Sequence, residues 1–170
     1  MSKNDKIILD KILEEKRLSV ASAMTPEDYF EIFTSEQILK DFAPSYEEIE
    51  SGLTGGGNDG GIDSFYVFVN GELLQDESDF SSITKDIVID VYLIQSKTSE
   101  GFSEDVLDKF LAATDIFDLS KDVNSFSKEY NSEIINLIGS FRNTFQDLAS
   151  YFPRLNFHYY LATKGDKSTI

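Results

Sequence analysis

The chain reads as one α/β domain with a central mixed sheet flanked by helices, and three observations predict it. Segments with helical periodicity come first, from Asn4 to Leu18 and again from Pro26. Two strand-like runs, 62–69 and 87–95, occupy the middle. A long helix-period stretch then precedes a late strand at 155–163. A strand–helix–strand return crosses right-handed, which places the last strand parallel to the run at 87–95. No internal repeat or low-complexity linker divides the 170 residues, so residues 1–170 are expected to form a single domain.

Each element has a local cause. Ile8, Ile12 and Leu13 recur among charges at helical spacing in the first segment. Thr25 is a good N-cap, Pro26 suits the first helical position, and Glu27 and Asp28 complement the positive end of the helix dipole. This second helix should run through Phe30, Phe33, Ile38 and Leu39 to about Asp41, with Pro44 closing it. Tyr46-Glu47-Glu48-Ile49-Glu50 predicts one or two further turns with a solvated acidic face. The glycine-rich turn from Gly55 to Gly61 leads into a first strand, Ile62 to Val69, and Asn70-Gly71 after it signals a tight hairpin. Residues 72–85 are polar and should supply a strand end and a surface loop. Ile87 to Gln95, apolar apart from Asp90, suits a strand covered on both faces. Ser103 is placed to cap a helix carrying Val106, Leu107, Phe110, Leu111 and Phe117. Another helix spans Tyr130, Ile134, Leu137, Ile138, Phe141, Phe145 and Leu148, until Pro153 stops it.

Composition narrows the class. A content of 41% hydrophobic and 13% aromatic residues argues for a packed core and against disorder. With no Cys, disulfides and thiolate metal sites are excluded, which fits a reducing compartment. No signal-peptide pattern and no transmembrane span occur, so the cytoplasm is the expected location. The net charge of −16, from 15 basic and 31 acidic residues, repels polyanions over most of the surface. Nucleic-acid binding then requires a local basic patch or a further segment of a longer protein, of which these residues would be the N-terminal part.

The chemistry concentrates at two places. Residues two apart on a strand share a face, so Gln95 and Lys97 can flank one spot, with Asp63 supplied by the neighbouring strand. A carboxylate, an amide oxygen and an ammonium in one place suit a hard cation and metal-assisted phosphoryl chemistry. An acid inside an otherwise apolar strand must also be paired, hydrogen-bonded or metal-bound.

Gly60-Gly61-Ile62-Asp63 followed by Gln95-Ser96-Lys97 resembles the Mrr-like branch of the PD-(D/E)XK nuclease superfamily. The wider stretch, from Tyr29-Phe30-Glu31 through Gly101-Phe102-Ser103-Glu104, is similar to the N-terminal domain of the abortive-infection phage-resistance (AIPR-type) proteins of bacteria, and covers roughly two thirds of the chain. The resemblance implies a restriction-endonuclease-like αβββαβ core and a DNA endonuclease of anti-phage defence. It implies that Asp63 and Gln95, helped by the Ser96 carbonyl, hold Mg²⁺ or Mn²⁺, and that Lys97 orients water or steadies charge. Glu31 matches the third acidic position, with Glu36 as its rival. DNA rather than RNA is the implied partner, a homodimer is compatible, and no membrane is involved. Gln95 departs from the more frequent acidic residue, and a neutral ligand holds a divalent ion less tightly than a carboxylate does. With the acidic surface, it leaves a second expectation: a catalytically inactive nuclease-like module serving interaction or regulation.

Other signals have ordinary explanations. Gly55-Gly56-Gly57-Asn58-Asp59-Gly60 fits GxGxxG literally, but a strand rather than a helix follows, so a dinucleotide fingerprint is rejected. Asp59 reads as a turn residue. His158, in an apolar strand, is expected to be a hydrogen-bonded core histidine.

Overall fold

The computed structural model describes residues 2–55, 60–99, 108 and 113–165. Helix α1 spans Lys3–Val20, α2 Pro26–Ile38 and α3 Tyr46–Ser51; each begins at a residue whose hydroxyl accepts a backbone N–H of the first turn, namely Ser2, Thr25 and Ser45. A short 3₁₀ turn, Lys40–Phe42, ends the second helix region near the expected Asp41. Strand β1 is Ser64–Val69, β2 Glu72–Leu73 and β3 Val88–Lys97. Helix α4, Ser132–Leu148, is followed by β4, Arg154–Thr163. Apart from residue 108, which is helical, the predicted helix from Ser103 through Leu111 lies outside the described residues, as does Asp59; Phe117 ends a 3₁₀ turn, Ala113–Phe117.

The result is an α/β arrangement around an open mixed sheet in the order β2-β1-β3-β4. β1 pairs antiparallel with β2 and with β3. β4 runs parallel to β3 in unbroken register from Val88↔Arg154 to Lys97↔Thr163, as the crossover rule requires. The β1–β2 hairpin turns on Asn70 and Gly71, whose φ values of 50° and 86° are those of a left-handed two-residue turn. Asn70 also holds β3, its N–H donating to the Val88 carbonyl at 2.9 Å and its side-chain oxygen accepting the Val88 N–H at 2.8 Å.

Strand alternation sorts the core into two layers. Phe65, Val67 and Val69 of β1 and Ile89, Val91 and Leu93 of β3 meet Ile134, Ile138 and Phe141 of α4 on one face. Tyr66, Phe68, Tyr92 and Ile94 meet Leu13 of α1, Tyr29, Phe30 and Ile32 of α2, and Ile49 of α3 on the other. Each such side chain, fully buried, contributes about 1.5–3 kcal/mol. β3 is therefore covered on both faces, as its apolar run predicts. The acidic residues Glu47 and Glu50 of α3 face solvent while Ile49 is buried.

The first strand is shorter than expected. Its ladder begins at Ser64 rather than Ile62, because the chain bends at Asp63. Residues Gly52 to Thr54 lie beside this start: the Phe65 N–H donates to the Gly52 carbonyl at 2.8 Å and the Thr54 N–H to the Asp63 carbonyl at 3.0 Å. A Cβ on Gly52 would stand 2.2 Å from the Tyr66 ring, so only glycine fits there.

Candidate active site

The site lies where β1 begins, β3 ends and α2 crosses the sheet. Asp63 occupies the position just before β1, held by its N–H donating to the Ile94 carbonyl at 2.9 Å. Its carboxylate oxygen Oδ2 accepts the Ser96 backbone N–H at 2.6 Å and lies 3.4 Å from the Ser96 hydroxyl. The carboxylate thus stands in for the backbone carbonyl that a longer β1 would have offered, and the ladder is completed by a side chain. Such a bond to an ionised acceptor contributes about 1.5–3 kcal/mol.

Around Ser96, alternation divides the motif. Gln95 continues the face of Ile89, Val91 and Leu93, whereas Ser96 continues that of Tyr92 and Ile94, toward α2. Gln95 is 6% exposed, and its Oε1 is buried with no hydrogen-bond partner among the described residues. A buried amide oxygen left in that state costs roughly 1–3 kcal/mol, so it is a vacant acceptor for a cation or a donor. On the α2 side a cleft of about 230 Å³ is lined by Glu27, Phe30, Glu31, Ser96, Lys97, Thr98 and Ser99. Lys97, at the last position of β3, reaches this cleft, and its ammonium has no ion pair among the described residues.

Glu31 and Glu36 are separated by the structure. Glu31 lines the cleft, one helical turn before Ser35, whose hydroxyl meets that of Ser64 at 2.9 Å. Glu36 instead pairs with Lys16 of α1 at 3.7 Å. Of the expected residues, Glu31, Ser96 and Lys97 therefore share one cleft, Asp63 is bonded to Ser96, and Gln95 is buried beside them without lining the cleft. Among the described residues no group of three or more His, Asp or Glu side chains is gathered as a metal cage. The donor set in question has fewer carboxylates than that, being Asp63, the Gln95 amide oxygen and the Ser96 carbonyl. A hard cation accepts these oxygen donors, and the orphaned Gln95 Oε1 is the atom that one would satisfy.

Two supports of the site are not legible as such in the sequence. Asn131 caps α4 by accepting the Ile134 N–H at 3.0 Å, and its amide donates to the Thr54 and Gly55 carbonyls at 3.0 and 2.9 Å. It ties the start of the glycine turn to α4. Thr54 also donates its hydroxyl to the Ile62 carbonyl. Behind Ser64, the Tyr66 hydroxyl donates to the Ile49 carbonyl at 2.7 Å, and burial, opposed by the Ser35 and Ser64 hydroxyls, pushes its pKa up to about 12.

His158 lies away from this site. Its Nε2 is 2.8 Å from Asp90 Oδ1, which also accepts from the Asn156 amide at 2.9 Å, and its ring stacks on Tyr92 at 4.4 Å. It is hydrogen-bonded as expected, but it is half-buried rather than a core residue, because β4 is the edge of the sheet.

Comparisons with protein-family models, curated proteins and solved structures return no match to this chain. Among the described residues no helix is long and apolar enough to cross a membrane.

Proposed function

We propose that the chain is a metal-dependent endonuclease domain of the PD-(D/E)XK type, with a restriction-endonuclease-like core, acting on DNA in bacterial anti-phage defence. The observation that carries the reading is convergence at one end of the sheet. Asp63 from before β1 is bonded to Ser96 between Gln95 and Lys97 of β3, with Glu31 of α2 on the same cleft as Lys97. Asp63, Gln95 and the Ser96 carbonyl would hold Mg²⁺ or Mn²⁺. Such an ion, when bound, polarises a phosphate oxygen and lowers the pKa of a bound water.

The chain's own residues do the rest. Lys97, which has no ion pair among the described residues, would offer a positive charge to a phosphate oxygen or attacking water. Glu31, which lines the same cleft, would supply an acceptor for a proton from that water. The Asp63–Ser96 bond fixes the carboxylate, so its orientation is set before substrate arrives. The defence role rests on the resemblance to the phage-resistance proteins. The test is cleavage of linear, supercoiled and single-stranded DNA and of RNA with Mg²⁺, Mn²⁺ or EDTA, by the parent and by Lys97→Ala. Metal-dependent cleavage lost in the variant supports the reading; no cleavage with any metal and substrate rejects it.

A specific observation favours a second reading, an inactive nuclease-like interaction module. Asp63 Oδ2 already serves the ladder as a structural acceptor, which explains an aspartate there without any metal. The acidic surface agrees with it.

A further inference from the structure

The outer edge of β1 is covered from both ends, and two backbone groups are left over between them. A hydrogen-bonded antiparallel pair exchanges two bonds, but each pair here makes only one. The Phe65 N–H donates to the Gly52 carbonyl at 2.8 Å, while the Gly52 N–H turns back into α3 and donates to the Ile49 carbonyl at 3.2 Å. At the other end the Leu74 N–H donates to the Val67 carbonyl at 2.8 Å, and the Val67 N–H returns no bond to Leu74. The Phe65 carbonyl and the Val67 N–H therefore point outward on either side of Tyr66. Neither has a hydrogen-bond partner among the described residues, although Phe65 and Val67 are only 2% and 4% exposed. Buried backbone groups are nearly always paired, so this acceptor and this donor await a partner.

A cavity of about 370 Å³, a size that suits a small molecule, opens at this gap. Phe65, Tyr66 and Val67 all line it although successive side chains of a strand point to opposite faces, so the cavity meets the strand at its edge. Leu74 and Leu137 of α4 add apolar surface, and the exposed Asp76 and Glu77 add carboxylates; no Lys, Arg or His is among the lining residues. A peptide strand has no place to pair, because the positions opposite Phe65 and Val67 are already held by Gly52 and Leu74. A flat ring needs only its rim: a donor for the Phe65 carbonyl beside an acceptor for the Val67 N–H. The carboxylates repel phosphate and accept from hydroxyl and amino groups. We infer that this cavity binds an uncharged amino-substituted nitrogen heterocycle of the nucleoside class, as in adenosine. The exocyclic amine donates to the Phe65 carbonyl, the adjacent ring nitrogen accepts from the Val67 N–H, the ring rests on Leu74 and Leu137, and the sugar hydroxyls meet Asp76 and Glu77. The cavity shares no lining residue with the cleft at Lys97, and the inference does not rest on the proposed nuclease chemistry.

The test titrates the isotopically labelled full chain with adenosine, followed by amide NMR and hydrogen exchange. The same nucleoside dimethylated on its exocyclic amine, which offers no donor on that rim, and adenosine 5′-monophosphate serve as controls. The expected result is a saturable shift of the Val67 amide resonance and slower exchange of that amide with adenosine. The dimethylated compound and the monophosphate should each bind about tenfold or more weakly. Asp76→Lys combined with Glu77→Lys changes exposed residues only, and at an unchanged melting temperature it should reverse the preference between adenosine and its monophosphate. Equal binding of adenosine and the dimethylated compound, or saturable shifts that spare Val67, would overturn the inference. So would the absence of binding, which would leave water as the partner of the two backbone groups.

Discussion

At the scale of single residues, Gln95 and Tyr66 make opposite demands on their surroundings. Gln95 Oε1 is a buried acceptor without a donor. If a divalent ion uses it, Gln95→Glu replaces a neutral ligand by a charged one. The expected outcome is a larger rise in melting temperature on adding Mn²⁺ than the parent shows, with a lower melting temperature in EDTA, where the new charge is buried without a partner. Asp63→Ala should remove most of the metal-induced rise. An Mn²⁺-independent melting temperature in all three proteins would exclude the ion. Tyr66 is already satisfied, and its hydroxyl resists ionisation. Its pKa rises from 10.0 to about 12 on folding, so the folded state holds the proton more tightly than the unfolded one. The associated stability is fully present below pH 10 and is lost as pH climbs through about 12, amounting to roughly 3 kcal/mol by linkage. Alkaline unfolding of Tyr66→Phe should lack this component, read by urea midpoints at successive pH values.

Among the elements, the helix starts, the hairpin and the late strand were legible because each rests on local chemistry. Thr25-Pro26 sets a cap and a first turn, and Asn70-Gly71 sets two left-handed residues, whatever the rest of the chain does. Gly71→Val should therefore destabilise by about 1–2 kcal/mol through backbone strain, checked by urea denaturation. The start of β1 was not legible, since it depends on a carboxylate replacing a carbonyl across 33 residues of sequence. Period two expects Gln95 and Lys97 on one strand face, but it cannot say which helix packs there. That Glu31 joins Lys97 and Ser96 in a cleft while Gln95 lies on the side of α4 follows only from tertiary packing. Asn131 shows the same limit: its cap is readable from the Asn-Ser-Glu start of α4, its grip on Thr54 and Gly55 is not. Asn131→Ala loses both, so it should cost about 1–2 kcal/mol of stability, more than a cap alone, measured by chemical denaturation.

For the whole molecule, charge decides how the chain meets a polyanion. With a net −16, the domain should bind DNA weakly, and what binding exists should fall steeply as salt rises, because it comes from few local cations such as Lys97. Fluorescence anisotropy with labelled duplex at two ionic strengths reads this directly, and tight, salt-insensitive binding would contradict it. The order of helices and strands implied helices on both sides of the sheet, and the core has those two layers. The position of β4 as an edge was not foretold, because a strand rich in Phe, Tyr and Leu reads from sequence as an interior one.

The parallel pairing of β3 with β4 also sets an order of events during synthesis. Val88 meets Arg154, a separation of 66 residues, so the partner of β3 leaves the ribosome long after β3 itself. By then α1, α2, α3 and the β1–β2–β3 antiparallel ribbon can already have gathered around Tyr66, Phe68, Tyr92 and Ile94. Until α4 and β4 arrive, the apolar strand Ile89 to Ile94 offers both a bare edge and a bare face. The nascent chain is therefore most prone to self-association in that interval, and a chain truncated before Arg154 should collect in the insoluble fraction while the 170-residue chain does not.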